Sequence, residues 1–239
     1  MQRLDQRMVA LGLVESRARA QALIAESAVT VDGAVATKPA QKVADAAMIA
    51  LVADPLPWVS RAALKLVHAL DLFDLTPSGL ALDLGASTGG FTEVLLARGA
   101  SRVIALDVGQ DQLHPRVAAD LRVTRLDGVN ARALPPDLPP PDWITADLSF
   151  ISLTKALPAA LDHAQPGATL VALIKPQFEL GPGAAPKGVV KDPALHARAR
   201  AEIADFLATA GWEVTGEAES PITGSDGNRE FLIAARKPR

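Results

Sequence analysis

The sequence predicts an α/β protein: an open, mostly parallel seven-stranded sheet with helices on both faces, preceded by a small α+β module. Three observations carry this. From residue 60 onward strand-like and helix-like segments alternate, the order that builds parallel sheets. A continuous apolar run from Ala168 to Ile174 reads as a buried strand, and a glycine-rich turn, Gly85 to Gly90, follows the first strand of this region. Before it, about 52 residues pair two short helical patterns with a hairpin signal, too little chain for more than a small core.

In the N-terminal part, Leu4, Met8 and Leu11 recur at helical spacing and Gly12 stops the pattern. Ser16 can cap a second helix carrying Ala20, Leu23, Ile24 and Ser27. Val29 to Val35 alternates around Asp32-Gly33, a strong hairpin signal, and Ala47 to Val52 reads as one more strand. Arg3 and Arg7, four apart, are expected on one helix face. Arg17 and Arg19 open the second helix, and Lys38 follows the hairpin. A solvated helix face would account for such charges taken alone. The order of features argues otherwise: Arg3-Leu4-Asp5, Ser16-Arg17-Ala18-Arg19-Ala20, then Val29 to Val35 and Lys38-Pro39 resemble the small RNA-binding module named for a small-subunit ribosomal protein. That resemblance implies that Arg3, Arg7, Arg17, Arg19 and Lys38 meet RNA phosphates. The module is expected over residues 1–53, with a proline-stiffened linker over 54–59 and the α/β domain over 60–239.

Within that domain the expected strands are Gly79–Leu84, Arg102–Leu106, Leu121–Arg125, Trp143–Ala146, Ala168–Ile174, Trp212–Thr215 and Phe231–Ala235. The expected helices are Gly90–Ala97, Ile151–Leu161 and Pro193–Ala210, and Pro135 to Pro141 is expected as an exposed loop.

Composition narrows the chemistry. Hydrophobic residues make up 49% and charged residues 21%, an ordinary globular balance. No apolar run reaches membrane-spanning length and no signal-peptide pattern opens the chain, so a cytoplasmic protein is expected. With neither cysteine nor tyrosine, thiolate and phenol chemistry are excluded. The four histidines share no ligand spacing, so no metal site is expected. The net charge of −3 means that any nucleic-acid binding must rest on a local basic patch.

The turn Asp83-Leu84-Gly85-Ala86-Ser87-Thr88-Gly89-Gly90-Phe91 has the spacing Gly-x-x-x-Gly-Gly, not the fingerprint of dinucleotide enzymes. Ligands of such sheets bind beyond the carboxyl ends of the strands, where glycines let a ligand approach the backbone. Asp107 ends the second strand, where an acid can accept from ribose hydroxyls; Asp127 ends the third and could accept from an exocyclic amine. Either acid alone would suit a turn or cap, but together after a glycine turn they point to a nucleoside. Lacking a phosphate cradle and a P-loop lysine, the site suits S-adenosylmethionine. Asp83, Gly85, Ser87, Gly89, Gly90, Phe91, Asp107 and Asp127 are the candidate cofactor residues.

Further motifs follow in order: Trp58 to Leu66, Ala146 to Ser152, Leu173 to Glu179, Lys187 to Pro193, and Gly227 to Phe231. With the glycine turn they resemble the TlyA family, ribosomal-RNA ribose 2′-O-methyltransferases also labelled hemolysins, in which this RNA-binding module precedes an FtsJ-like domain. The resemblance spans essentially the whole chain; Ala62 and Leu56-Pro57 depart from the family's pattern. It implies a Rossmann-like, class I S-adenosylmethionine-dependent methyltransferase fold, ribosomal RNA or ribosomal subunits as partner, and a catalytic set of Lys65, Asp147, Lys175 and Glu230. A ribose hydroxyl is a weak acid and a sulfonium a good methyl donor, so the protein must align the two and remove a proton. Lys175, ending the most apolar strand, is the candidate base, because burial and a second lysine favour the neutral amine. Lys65 supplies that second cation, and Asp147 and Glu230 orient the lysines. A non-catalytic ribosome-associated RNA-binding factor is the alternative. A membrane pore finds no support, since no span, cationic amphipathic helix or secretion signal is present.

Overall fold

Two short helices and short strands form the first unit of a computed structural model of the chain, which describes residues 2–25, 28–51, 57–181, 183–185, 188–224 and 227–239. The chain divides into Met1–Pro57 and Trp58–Arg239.

The first unit runs β1 (Gln2–Arg3), α1 (Leu4–Ala10), α2 (Arg17–Ala25), β2 (Val29–Val31), β3 (Ala34–Val35), β4 (Lys42–Val43) and β5 (Ile49–Leu51). Strand β1 pairs with β4, and β2 lies between β3 and β5. Ser16 Oγ accepts from the Arg19 N–H at 3.2 Å, the expected cap. Asp32 and Gly33 both adopt left-handed backbone, φ 50° and 83°, as a two-residue hairpin turn requires. Leu4, Met8, Leu23, Ile24, Val29 and Val43 fill the core. One expectation is corrected: Arg3 and Arg7 do not share a helix face. Arg3 ends β1 opposite Lys42, because the strand bridge takes its backbone before α1 begins. The final strand is shorter than Ala47 to Val52, and Val52, Ser27 and linker residues 54–56 lie outside the described residues.

The second unit continues with α3 (Ala63–Leu72), β6 (Leu80–Leu84), α4 (Gly90–Ala97), β7 (Arg102–Asp107), α5 (Pro115–Ala118), β8 (Val123–Asp127), β9 (Trp143–Ala146), α6 (Leu153–Ala156), α7 (Pro158–His163), β10 (Thr169–Ile174), α8 (Pro176–Glu179), α9 (Pro193–Thr209), β11 (Glu213–Glu219) and β12 (Phe231–Arg236). The seven strands lie in the order β11-β12-β10-β9-β6-β7-β8. Neighbours are parallel except at β12, which is antiparallel to both β10 and β11. The chain moves outward from β6 to β8 and returns to place β9 against β6. That reversal is where ligands bind in open α/β sheets.

Strand periodicity sorts the core into two faces. In β10, Leu170, Ala172 and Ile174 pack with α6, α7 and α9, while Val171 and Leu173 pack with α3 and α4. On the α3/α4 face lie Leu66, Leu70, Phe91, Val94 and Leu95. Continuing the alternation sends residue 175 beyond β10, 147 beyond β9 and 230 before β12 to the face that α3 covers. The catalytic candidates thus converge by parity.

Several boundaries differ from expectation. Strand β8 starts at Val123 rather than Leu121, because Arg122 folds back onto Asp120 through its N–H (2.9 Å), Nε (3.0 Å) and Nη2 (2.7 Å). The helix expected over Ile151–Leu161 is two helices: Ser152 caps the first and Pro158, without an N–H, opens the second. Helix α3 is an addition to the expected elements. Strand β11 extends to Glu219 with alternating exposure, since an edge strand tolerates glutamates that lower strand propensity in the sequence. The proline-rich segment 135–141 is irregular, but Leu138 is buried and its carbonyl lies 2.6 Å from His163 Nε2, which pins the loop. Val59 belongs to the second unit rather than to a linker, its N–H donating to Glu93 Oε2 of α4 at 2.7 Å.

Candidate active site

The two lysines and two carboxylates meet at the carboxyl end of the sheet. Lys65 Nζ on α3 donates to Glu230 Oε2 at 2.5 Å and lies 3.8 Å from Asp147 Oδ2. Lys175 Nζ lies 2.6 Å from Asp147 Oδ1, an ion pair outside hydrogen-bond geometry, for that oxygen has no aligned donor. The aligned hydrogen bond from Lys175 goes to Ser149 Oγ at 3.0 Å. Lys65 and Lys175 are each 7% exposed and Glu230 3%. Buried charges persist only when paired, and here two cations face two anions.

Two cavities adjoin this cluster and share Gly85, Ser87, Asp147 and Ser149 as walls. The larger, about 340 Å³, has apolar walls from Leu106, Val108, Ala131 and Leu148, with Asp107 at its edge. The smaller, about 230 Å³, is bounded by Ser60, Thr88, Gly90, Phe91 and Lys175. An apolar slot with carboxylates at Asp107 and Asp147 suits a nucleoside, and a polar pocket beside it suits an amino-acid tail. Together the lobes fit S-adenosylmethionine.

The glycine turn makes room by close approach. Gly85 has φ +79°, and a Cβ there would lie 2.7 Å from the Asp147 backbone oxygen. Gly90 sits so close to Ser60 that a Cβ would meet its Oγ at 2.2 Å. Asp107 secures the turn, its carboxylate accepting from Ser87 N–H and Gly109 N–H, each at 2.8 Å.

Comparison with known proteins decides the family. The FtsJ-like methyltransferase model matches residues 58–237 and the S4 domain model residues 2–49. A Mycobacterium tuberculosis protein named 16S/23S rRNA (cytidine-2′-O)-methyltransferase TlyA is 46% identical over 98% of this chain and 89% of its own length. The chain belongs to the TlyA family. Another relative, hemolysin A of Brachyspira hyodysenteriae, is 37% identical over 96% of this chain and 98% of its own. A Streptococcus thermophilus structure described as a candidate hemolysin superposes with TM-score 0.79 at 36% identity, covering 99% of this chain and 88% of its own. Among the described residues no helix is long and apolar enough to cross a membrane, and no group of three or more His, Asp or Glu side chains could hold a metal.

Against this TlyA framework, not every expected cofactor residue reaches the cavities. Asp83 is fully buried beneath the turn, accepting from Thr92 Oγ1 (2.7 Å) and Thr145 Oγ1 (2.9 Å). Burial raises its carboxyl to about 6, against the opposing pull of the two hydroxyls. From there it braces the turn through Thr92 and Thr145. Asp127 lies outside the cavity walls: Arg125 holds its Oδ2, which also accepts from the Asp111 N–H at 3.1 Å. That guanidinium holds the Asp127 carboxyl below its usual range. Gly89 packs against Leu113 and Val117 at the start of α4 rather than lining a cavity.

In the S4 unit, Arg3 Nε (3.0 Å) and Nη2 (2.9 Å) clamp Asp5, and Arg17 Nη2 reaches the same carboxylate at 3.2 Å. Gln21 Nε2 joins them at 3.0 Å, and the Arg3 hydrogen bond, foremost, holds the fully buried Asp5 carboxyl far below its usual range. Arg7 Nη2 donates to the Asp45 carbonyl at 2.9 Å, the Arg19 side chain is half-buried, and Lys38 is exposed.

Three supporting residues carry no clear mark in the sequence. Asp5 organises two of the arginines, and its one signal is the Arg-Leu-Asp order itself. Glu179 accepts from Ser152 Oγ (2.6 Å) and the Leu153 N–H (3.1 Å), tying down the segment that bears Ser149. Asn228 donates to the Gly188 carbonyl (2.8 Å) and accepts from the Val190 N–H (3.0 Å), anchoring the approach to Glu230.

Proposed function

We propose that this chain transfers the methyl group of S-adenosylmethionine to a ribose 2′-hydroxyl of a cytidine in ribosomal RNA, within the cytoplasm. Residues 1–53 bind the RNA and residues 60–239 perform the transfer. The observation that carries the reading is the Lys65–Glu230 and Lys175–Asp147 cluster opening onto the two cavities. The names of the relatives support the substrate class.

Asp107 would hold the ribose of the cofactor, Leu106, Val108 and Leu148 would enclose its base, and Ser60, Thr88 and Gly90 would surround its amino-acid end. When bound there, S-adenosylmethionine supplies an electrophilic methyl group and leaves as a neutral thioether. Lys175, as the free amine, accepts the proton of the 2′-hydroxyl as the oxygen becomes nucleophilic. Asp147 holds Lys175 in place, and Lys65, held by Glu230, offsets the charge on Asp147. Arg3 and Arg17, oriented by Asp5, neutralise RNA phosphates together with Arg7 and Arg19, without reading sequence.

The test is transfer of labelled methyl from S-adenosylmethionine to isolated ribosomal subunits, followed by mapping of 2′-O-methylated riboses. Label on a ribose of a single cytidine per subunit is the expected result. Tight RNA binding without any transfer would identify an RNA-binding factor instead.

A further inference from the structure

A lysine acting as base must not only lose a proton; its one lone pair must point at the hydroxyl. Neutral Nζ carries two N–H bonds and one lone pair, and rotation about Cε–Nζ is intrinsically almost free. Lys175 Nζ has two oxygens beside it, Asp147 Oδ1 at 2.6 Å and Ser149 Oγ at 3.0 Å. Both repel a lone pair and attract an N–H. Asp147 lies off the hydrogen-bond axis, so it draws an N–H less directionally than Ser149 does. The aligned contact is Ser149, which also walls both cavities.

We propose that Ser149 is a positioning residue: its Oγ accepts one N–H of Lys175, Asp147 draws the other, and the lone pair is left the third tetrahedral direction, toward the cavity that Lys175 lines. This rests on the reading of Lys175 as the base. After transfer the hydroxyl proton resides on Lys175 as ammonium, whose three N–H bonds are served by Ser149, Asp147 and the cavity, and it leaves to solvent. Sequence placed Ser149 inside a motif, but nothing short of the side-chain geometry separates it from its neighbours.

The prediction is a loss that depends on Lys175. Ser149→Ala lowers turnover by roughly 10- to 100-fold, the scale of a misoriented catalytic group, with affinity for S-adenosylmethionine and KM for ribosomal subunits unchanged. Ser149→Thr, which keeps the Oγ, restores turnover. In single-turnover assays, Lys175→Ala and the Lys175→Ala/Ser149→Ala double variant are equally slow, because Ser149 acts only through the amine.

Additive losses in the double variant would overturn the proposal, since Ser149 would then act elsewhere. Weakened cofactor binding in Ser149→Ala would do the same, assigning the hydroxyl to the cofactor. If Lys175→Ala is inactive while Ser149→Ala is normal, the base stands and the positioning role falls. If Lys175→Ala turns over normally, the base itself is wrong and both fall.

Discussion

Replacing Lys175 separates proton transfer from electrostatics. Its side chain is 9% exposed, with Nζ 2.6 Å from Asp147 Oδ1. Alanine removes the proton acceptor, so methyl transfer falls by about 10² to 10⁴, roughly 3–5 kcal/mol of barrier at about 1.4 kcal/mol per tenfold. The truncation also costs stability. Breaking a buried pair costs about 3–5 kcal/mol, and Lys65, 3.8 Å from the other Asp147 oxygen, keeps the loss at the lower end. For a unit of this size, about 3 kcal/mol lowers Tm by roughly 6–12 °C, so the assay belongs well below the variant's melting temperature. Lys175→Arg keeps the charge, yet a guanidinium stays protonated and accepts nothing. Both variants are expected to bind S-adenosylmethionine by calorimetry and to fail in single-turnover transfer. An arginine variant with near wild-type turnover would refute the base assignment, and loss of cofactor binding in the alanine variant would refute the separation of roles.

Asp107→Ala should weaken S-adenosylmethionine binding by about 1–3 kcal/mol; calorimetry that finds unchanged affinity removes Asp107 from the site. Exchanging Arg3, Arg7, Arg17 and Arg19 together for glutamine should flatten the dependence of log affinity for ribosomal RNA on log salt by about 0.7–0.9 for each phosphate no longer neutralised, with cofactor affinity unchanged. An unaltered slope would mean that the first unit binds something other than phosphate. Burial holds the Asp83 carboxyl up at about 6 in the folded chain, against 3.8 when free. Below about pH 3 both states are protonated and no penalty applies; as pH rises toward 6 the unfolded chain ionises first, and stability falls by roughly 3 kcal/mol. Asp83→Asn escapes this loss, so urea denaturation should show its stability gaining on wild type between about pH 4 and 7. A pH-independent difference would show that Asp83 is not raised.

Much of this was legible because strands and turns are local. The apolar run of β10, the Asp32-Gly33 turn and the glycine turn before α4 each encode their conformation within a few residues. The two-residue period of a strand also sends residues 147, 175 and 230 to one face once the strands are placed. Errors arose where a neighbour in space overrode a local pattern. Arg3 reads as the start of a helix until β4 bridges it, and nothing local announces that Arg125 pairs with Asp127.

By itself, the sequence determined the order of the seven strands, the glycine turn, the absence of thiol and phenol chemistry, and the place of Lys175 and Asp147 just beyond strands. Only the tertiary structure decided which of these meet. Lys65 lies 165 residues from Glu230, and their 2.5 Å contact exists because α3 packs on the face to which β12 delivers that carboxylate. It decided as well that Asp83 is buried, that Asp5 gathers Arg3 and Arg17, and that Ser149 receives the hydrogen bond of Lys175. A side chain's propensity follows from its immediate neighbours. Its charge state, its partners and the direction of its lone pair follow from whatever the fold packs against it.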